Sequence, residues 1–98
     1  MKRYIKEDCS FKISVIAGKA NNDGTINCRN GHEIGDTYTC EYGCPKDFCQ
    51  KSMLKMFPIM EAARAGGNLQ NLGGDTQNTI NVCCPDGIVT FRLEVLQK

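Results

Sequence analysis

Residues 80–95 read INVCCPDGIVTFRLEV, and this stretch decides the fold because apolar and polar residues alternate on both sides of a turn. The apolar side chains expected on the inner face of the two strands are Ile80, Val82, Cys84, Val89, Phe91, Leu93 and Val95. The turn itself is Pro85-Asp86-Gly87, in which proline sets φ, aspartate bonds its own backbone and glycine accepts the left-handed conformation. The pattern predicts a closing β-hairpin.

Three further strands are predicted upstream of this hairpin. Residues 11–18 alternate with the period of two that is typical of a half-buried strand. Residues 25–28 form a short extended piece after the turn sequence Asn-Asn-Asp-Gly at positions 21–24. Residues 36–42 have alternating character again and predict another strand.

The segment from Lys46 onward changes its period and predicts an amphipathic helix. Its buried stripe is expected to comprise Phe48, Ser52, Met56 and Met60. Pro45 suits the first helical position, where a missing N–H costs nothing. Pro58 should kink or divide the helix, and Gly66-Gly67 should end it.

The order of elements predicts an α+β fold in one domain that covers residues 1–98. Residues 66–77, rich in Gly, Asn and Gln, are expected to form a surface loop. The order is then β-β-β-α-β-β, with an antiparallel or mixed sheet of about five short strands and one Pro-interrupted helix on its face.

Composition excludes several classes of function. The net charge is +1, from 12 Lys and Arg against 11 Asp and Glu, so the chain lacks the positive charge that nucleic-acid binding needs. No apolar run approaches the ~20 residues that span a bilayer, so membrane insertion is not expected. The basic cluster of Lys2, Arg3 and Lys6 is expected to be a solvated end. A secretion signal would need an apolar run after these basic residues, and since none follows, the protein is expected in the cytosol.

The cysteine content indicates thiol or metal chemistry. The chain has 7 cysteines, an odd number, and cytosolic thiols are kept reduced, so a disulfide framework is not expected. Metal binding and thiol reactivity are then the functional alternatives. The structural alternative is that several of these cysteines are small buried hydrophobes, which is how free cysteine usually behaves.

Four side chains form the predicted metal site, which would hold zinc or iron: Cys28, His32, Cys44 and Cys84. Cys28 and His32 flank a turn that contains Gly31, at a spacing with which two ligands reach one ion. Cys44 precedes the expected helix start, where unpaired N–H groups favour a thiolate. Cys84 lies on the inner face of its strand. No organic cofactor is predicted.

The sequence is also compatible with other functions. A thiol-based redox protein or sensor would use Cys44, with Cys83 or Cys84 as the resolving thiol. A metal-free protein-interaction module would instead bind a protein partner through the loop at 66–77. His32 could equally be a turn residue that bonds a neighbouring carbonyl. The cysteines assigned to structural roles are Cys9, Cys40 and Cys49.

The chain resembles a family of small uncharacterised cysteine-rich proteins of bacteria and archaea. The resemblance rests on Cys28, Gly31-His32, Gly35-Asp36, Cys44-Pro45 and Cys83-Cys84-Pro85-Asp86, followed by the strand that contains Phe91. It implies that Cys28, His32, Cys44 and Cys84 belong to the common pattern, and that Cys9, Cys40 and Cys49 do not. The family has no established activity. This chain departs from it in the Gly-rich segment after the helix, where family members tend to carry aromatic residues.

Overall fold

Within residues 9–97 the fold consists of a four-stranded sheet and one α-helix. The computed structural model describes residues 9–97, so the predicted solvated end at Lys2, Arg3 and Lys6 lies outside the described residues. The elements in chain order are β1 (Cys9–Gly18), β2 (Thr37–Cys40), α1 (Gln50–Arg64), a 3-10 turn (Leu69–Leu72), β3 (Thr79–Cys83) and β4 (Val89–Gln97). Helix and antiparallel sheet together give an α+β arrangement.

The sheet has the strand order β2-β1-β4-β3, and every pairing in it is antiparallel. The predicted hairpin of β3 and β4 is confirmed, with Ile80 opposite Leu93 and Val82 opposite Phe91. The two long strands β1 and β4 pair along their length, with one register shift between Val15 and Ala17. The hairpin therefore supplies one half of the sheet and β1 joins it to β2.

One hydrophobic cluster contains the inner face of the sheet and the buried face of α1. Its most deeply buried side chains, each 0% exposed, include Phe11, Ile13, Met56, Met60, Phe91 and Leu93. Removing such side chains from water contributes most of the stability of a domain of this size, at about 25 cal/mol per Å² of apolar surface. The Met-rich stripe predicted for the helix is confirmed for Ser52, Met56 and Met60, and Met53 is buried beside them. Phe48 is also buried but precedes α1.

The strand predicted at residues 25–28 is wrong, and with it the count of five strands and the predicted element order. Ile26 makes one isolated bridge, to Ala20, because the turn between them already uses nearby backbone groups. The N–H of Asn21 donates to the carbonyl of Thr25 at 2.6 Å. Ile26 is buried against Gly18, and a Cβ added to Gly18 would lie 2.7 Å from Cδ1 of Ile26. Ile26 therefore packs in the core, and the segment does not extend the sheet.

The helix begins later than its sequence pattern predicts. Asp47 has φ +64°, a left-handed conformation that interrupts any helix running from Lys46. Pro45 belongs to a separate turn, in which its carbonyl accepts from the N–H of Phe48 at 3.2 Å. Cys49 is the N-cap residue of α1, and its side chain makes no capping hydrogen bond. The expected position of Cys44 at the helix start is therefore wrong.

Pro58 does not divide the helix, which was one of the two predicted outcomes, since α1 continues from Gln50 to Arg64. The carbonyl that loses its partner belongs to Leu54, a residue that is 76% exposed, so water can replace the missing N–H. The predicted helix end is confirmed, because Gly66 follows the C-cap with φ +88°.

Among residues 9–97, no helix combines the length and the apolar character that crossing a membrane requires.

The segment at 66–77 is more ordered than the predicted surface loop. It contains the 3-10 turn Leu69–Leu72, whose residue Leu69 is 0% exposed and belongs to the core cluster. Asn68 caps this turn by accepting the N–H of Gln70 at 2.9 Å. The segment is thus attached to the core by one leucine, while Leu72 remains 52% exposed.

Candidate functional site

A cavity of about 660 Å³ lies between the turn at residues 27–32, the start of α1 and the β3–β4 turn. Two contacts join the helix to the hairpin beside it. The Lys51 ammonium donates to the Asp86 carboxylate at 2.7 Å, and the Lys55 ammonium donates to the carbonyl of Cys83, also at 2.7 Å. These bonds fix the distance between two walls of the cavity.

Three of the four predicted ligands line this cavity: Cys28, His32 and Cys84. Cys44, the fourth, is not among the lining residues, whereas Cys49 is. The exchange follows from the late start of α1, since Cys49 takes the position at the helix start that the sequence pattern assigns to Cys44. Within residues 9–97, no three His, Cys, Asp or Glu side chains lie close enough together to hold one metal ion.

His32 is 2% exposed and both of its ring nitrogens have partners. The amide nitrogen of Asn30 donates to the carbonyl of Asp47 at 2.8 Å, which fixes the orientation of that amide. Its second N–H then donates to Nε2 of His32 at 3.2 Å. Nδ1 of His32 therefore carries the proton and donates to the hydroxyl of Tyr38 at 3.0 Å.

The surroundings of His32 keep its imidazole neutral. Burial lowers the pKa of His32 below its ordinary value, and the carboxylate of Asp36 opposes that effect only in part. The ring also lies 5.4 Å from Phe48 and from Phe91, measured between centroids. His32 therefore resembles a hydrogen-bonded core residue. To ligate a metal through Nε2, it would have to release the amide of Asn30.

Cys84 has the environment of a thiolate. Its Sγ accepts the backbone N–H of Ile88 and of Val89, each at 3.3 Å. Desolvation is the largest single influence and raises the pKa of Cys84, but the N–H groups of Val89, Ile88, Asp86 and Gly87 together outweigh it. The pKa of Cys84 therefore lies below its ordinary value. Backbone N–H groups that converge on one sulfur stabilise its anion.

The turn Cys84-Pro85-Asp86-Gly87 creates this arrangement. Gly87 adopts φ +74°, and its N–H donates to the carbonyl of Cys84 at 2.8 Å. The N–H of Cys84 in turn donates to the carbonyl of Val89 at 2.8 Å. The chain therefore bends back so that the next N–H groups point at the sulfur.

Cys44 has the opposite environment. Its Sγ lies 3.5 Å from the carbonyl oxygen of Pro45 and 3.9 Å from that of Phe48, and its one S–H can donate to either. Burial raises the pKa of Cys44, and the nearby Cys49 thiol raises it further. A sulfur that faces carbonyl oxygens is held as the neutral thiol, so the expected thiolate at Cys44 is wrong.

Burial also raises the pKa of Cys40. Cys9 and Cys40 are buried in the core, as their structural assignment predicts.

Ser52 is a site residue that the sequence pattern placed on the buried face of the helix without a role. It is 2% exposed and lines the cavity. Among the described residues, its Oγ has no hydrogen-bond partner. The available signal was a lone hydroxyl in an otherwise apolar stripe, because buried polar groups are nearly always paired.

No protein-family model matches this chain, and comparison with curated proteins and with solved structures finds no significant similarity.

Proposed function

We propose that this protein is a thiol-based redox protein or sensor whose reactive group is Cys84. The observation that carries the proposal is the pair of 3.3 Å hydrogen bonds that Sγ accepts from Ile88 and Val89 beside an open cavity. The thiolate is the nucleophilic form of cysteine, so a thiol whose anion is stabilised and reachable is the one that reacts. This proposal moves the reactive role from Cys44 to Cys84.

The chemistry that fits this site is thiol–disulfide exchange. The Cys84 thiolate attacks one sulfur of a disulfide, a new S–S bond forms, and the original S–S bond breaks with its electron pair on the leaving thiolate. No proton has to be transferred in this step. Cys28 and Cys49 line the same cavity. When the thiolate of either one attacks Sγ of Cys84 in the mixed disulfide, it forms an intramolecular disulfide with Cys84 and the second half of the substrate leaves as a thiolate. Cys83 is not among the lining residues.

The pH dependence of alkylation tests the proposal. Reduced protein is treated with iodoacetamide for short times between about pH 5 and 10, and each cysteine is followed in its proteolytic peptide by mass spectrometry. Cys84 is expected to react at lower pH than Cys44, whose pKa is raised by burial. The proposal fails if Cys84 reacts only near the free thiol value of about 8.5 or above, or together with Cys44.

Metal binding is a second candidate, because Cys28, His32 and Cys84 line one cavity, but their side chains would have to move closer together to hold one ion. Cys49, at the start of α1 and on the same cavity, would complete the set of three thiolates and one imidazole that is common at structural zinc sites. The bonds to the sulfur of Cys84 suit a metal-bound thiolate equally well, since hydrogen bonds to ligands orient them. Zinc or iron would be the ion.

Anaerobic titration with Co²⁺ tests this second candidate, because cobalt bound to thiolates absorbs visible and near-ultraviolet light. The absorption is expected to be lost in Cys84→Ser and in Cys28→Ser and retained in Cys44→Ser, the matched control outside the cavity. Absence of the band in wild-type protein, or its survival in both cavity variants, would reject metal binding at this site.

A further inference from the structure

We infer that the cavity beside Cys84 binds a small organic disulfide with an uncharged, apolar body and a hydrogen-bond acceptor that reaches the hydroxyl of Ser52. The inference rests on the proposed thiol function of Cys84 and adds the class of its substrate. Two independent observations carry it, the unpaired buried hydroxyl and the character of the walls.

The hydroxyl of Ser52 indicates where a ligand atom would lie. Ser52 is 2% exposed and is one of the residues that line the cavity. Its Oγ has no partner among the described residues and is closed to solvent, so a ligand atom would bond it after the side chain turns toward the cavity. A buried hydroxyl without a hydrogen bond costs stability, and apolar replacement at that position would be tolerated by the surrounding Met-rich face. A polar ligand atom in the cavity would supply the missing partner.

The walls favour an apolar ligand body. Phe48, Phe91 and Val89 are buried and line the cavity. His32, the titratable side chain among these rings, is kept neutral by burial. The charged side chains of the lining are Arg29, Lys51 and Asp86; the Lys51 ammonium is paired with the Asp86 carboxylate, and both cations lower the pKa of that carboxyl. The volume of about 660 Å³ is within the range of roughly 300–1,000 Å³ that is typical of small-molecule sites. An uncharged aromatic or branched body fits such surroundings.

The reaction follows from the positions of the two polar groups. Sγ of Cys84 attacks the nearer sulfur of the bound disulfide, and the electron pair of the broken S–S bond leaves on the other sulfur. Ser52 is a positioning residue in this account, because its hydroxyl holds the acceptor on the ligand body and does not touch the reacting sulfurs.

The probe for the test is 4,4′-dithiodipyridine, whose rings are apolar and whose nitrogens accept hydrogen bonds. Modification of Cys84 is followed by peptide mass spectrometry. The variant Cys84→Ser measures the background, which is the thiopyridone released by the other cysteines. The rate at Cys84 is expected to saturate with probe concentration. Bis(2-hydroxyethyl) disulfide, which lacks an apolar body, is expected to show no saturation over the same range.

The variant Ser52→Ala separates binding from reactivity. Its half-saturating probe concentration is expected to rise roughly 2- to 10-fold, the loss that corresponds to one neutral hydrogen bond. The rate of iodoacetamide alkylation of Cys84 in the same variant corrects for any change in the intrinsic reactivity of Sγ. Ser14→Ala, on β1 and away from the cavity lining, is the matched control and should bind the probe like the wild type.

The outcomes distinguish the two proposals. Rapid alkylation of Cys84 at low pH, with a disulfide rate that stays linear in probe or is unaffected by Ser52→Ala, would overturn the substrate class and leave the thiol function standing. Slow reaction of Cys84 with iodoacetamide and with both disulfides would overturn the thiol function and the inference together.

Discussion

Nδ1 of His32 lies 3.0 Å from the hydroxyl of Tyr38, and this hydrogen bond fastens the turn after Cys28 to strand β2. Asn30 gives the bond its direction, because its amide is oriented by the carbonyl of Asp47 and donates to Nε2. One wall of the cavity is therefore held by a chain of three polar side chains inside an aromatic cluster.

Replacement of Tyr38 by phenylalanine tests this chain. Tyr38→Phe leaves the Nδ1–H of His32 buried without an acceptor, which is expected to lower the free energy of unfolding by about 1–3 kcal/mol. Urea denaturation at pH 7 measures the change. Tyr42→Phe is the control, since Tyr42 is 57% exposed and should lose little. Equal stability of Tyr38→Phe and wild type would show that the bond contributes nothing.

The stability of the protein should depend on pH through His32, the single histidine of the chain. Burial lowers its pKa in the folded state, so the unfolded chain binds the proton more tightly. The stabilisation is complete above the ordinary value of 6.5 and is lost as the pH falls from there to the lower folded pKa. Unfolding free energies of wild type and His32→Gln between pH 7 and 5 check this, and equal slopes for the two proteins would contradict it.

Gly18 should not tolerate a side chain. A Cβ at this position would lie 2.7 Å from Cδ1 of Ile26, which is buried at 9% exposure. Gly18→Ala is expected to cost about 1–3 kcal/mol through this overlap. In Gly43→Ala the new methyl group would meet nothing within 4 Å, so this variant is the matched control. Thermal unfolding of both compares them, and a neutral Gly18→Ala would mean that Ile26 can move aside.

The hydroxyl of Ser52 should not contribute to stability in the absence of a ligand. Since it has no partner among the described residues, Ser52→Ala is expected to keep or raise the melting temperature. Met56→Ala, one turn further along the same face and 0% exposed in the wild type, is expected to lose about 2–5 kcal/mol. A loss above roughly 1 kcal/mol in Ser52→Ala would indicate that the hydroxyl is paired within the protein.

Periodicity predicted the parts of the fold in which burial alternates regularly. The hairpin of β3 and β4 and the Met-rich face of α1 follow directly from apolar residues spaced at two and at four. The start of α1 could not be found in this way, because the spacing of apolar residues gives no sign of the left-handed conformation of Asp47, an exposed residue whose carbonyl accepts from the amide of Asn30. The extended piece that ends at Cys28 failed as a strand because Ile26 is buried against Gly18 and, in the part of the chain that the structure describes, pairs only through the isolated bridge to Ala20.

The candidate site was predictable where it depends on turns. Cys28, His32 and Cys84 reach one cavity because each belongs to a turn at the same end of the molecule. The choice of Cys44 followed from the misplaced helix start. The lowered pKa of Cys84 depends on the direction of four backbone N–H groups, and the spacing of residues gives no information about that direction.

The shortest strands, β2 with 4 residues and β3 with 5, lie at the two edges of the sheet described here, and the long strands β1 and β4 lie between them. Unpaired edges are where sheets recruit strands from other chains and start to aggregate. An edge this short presents few free backbone groups to a neighbouring molecule. The strand order therefore protects the fold from intermolecular sheet extension when many copies are crowded together.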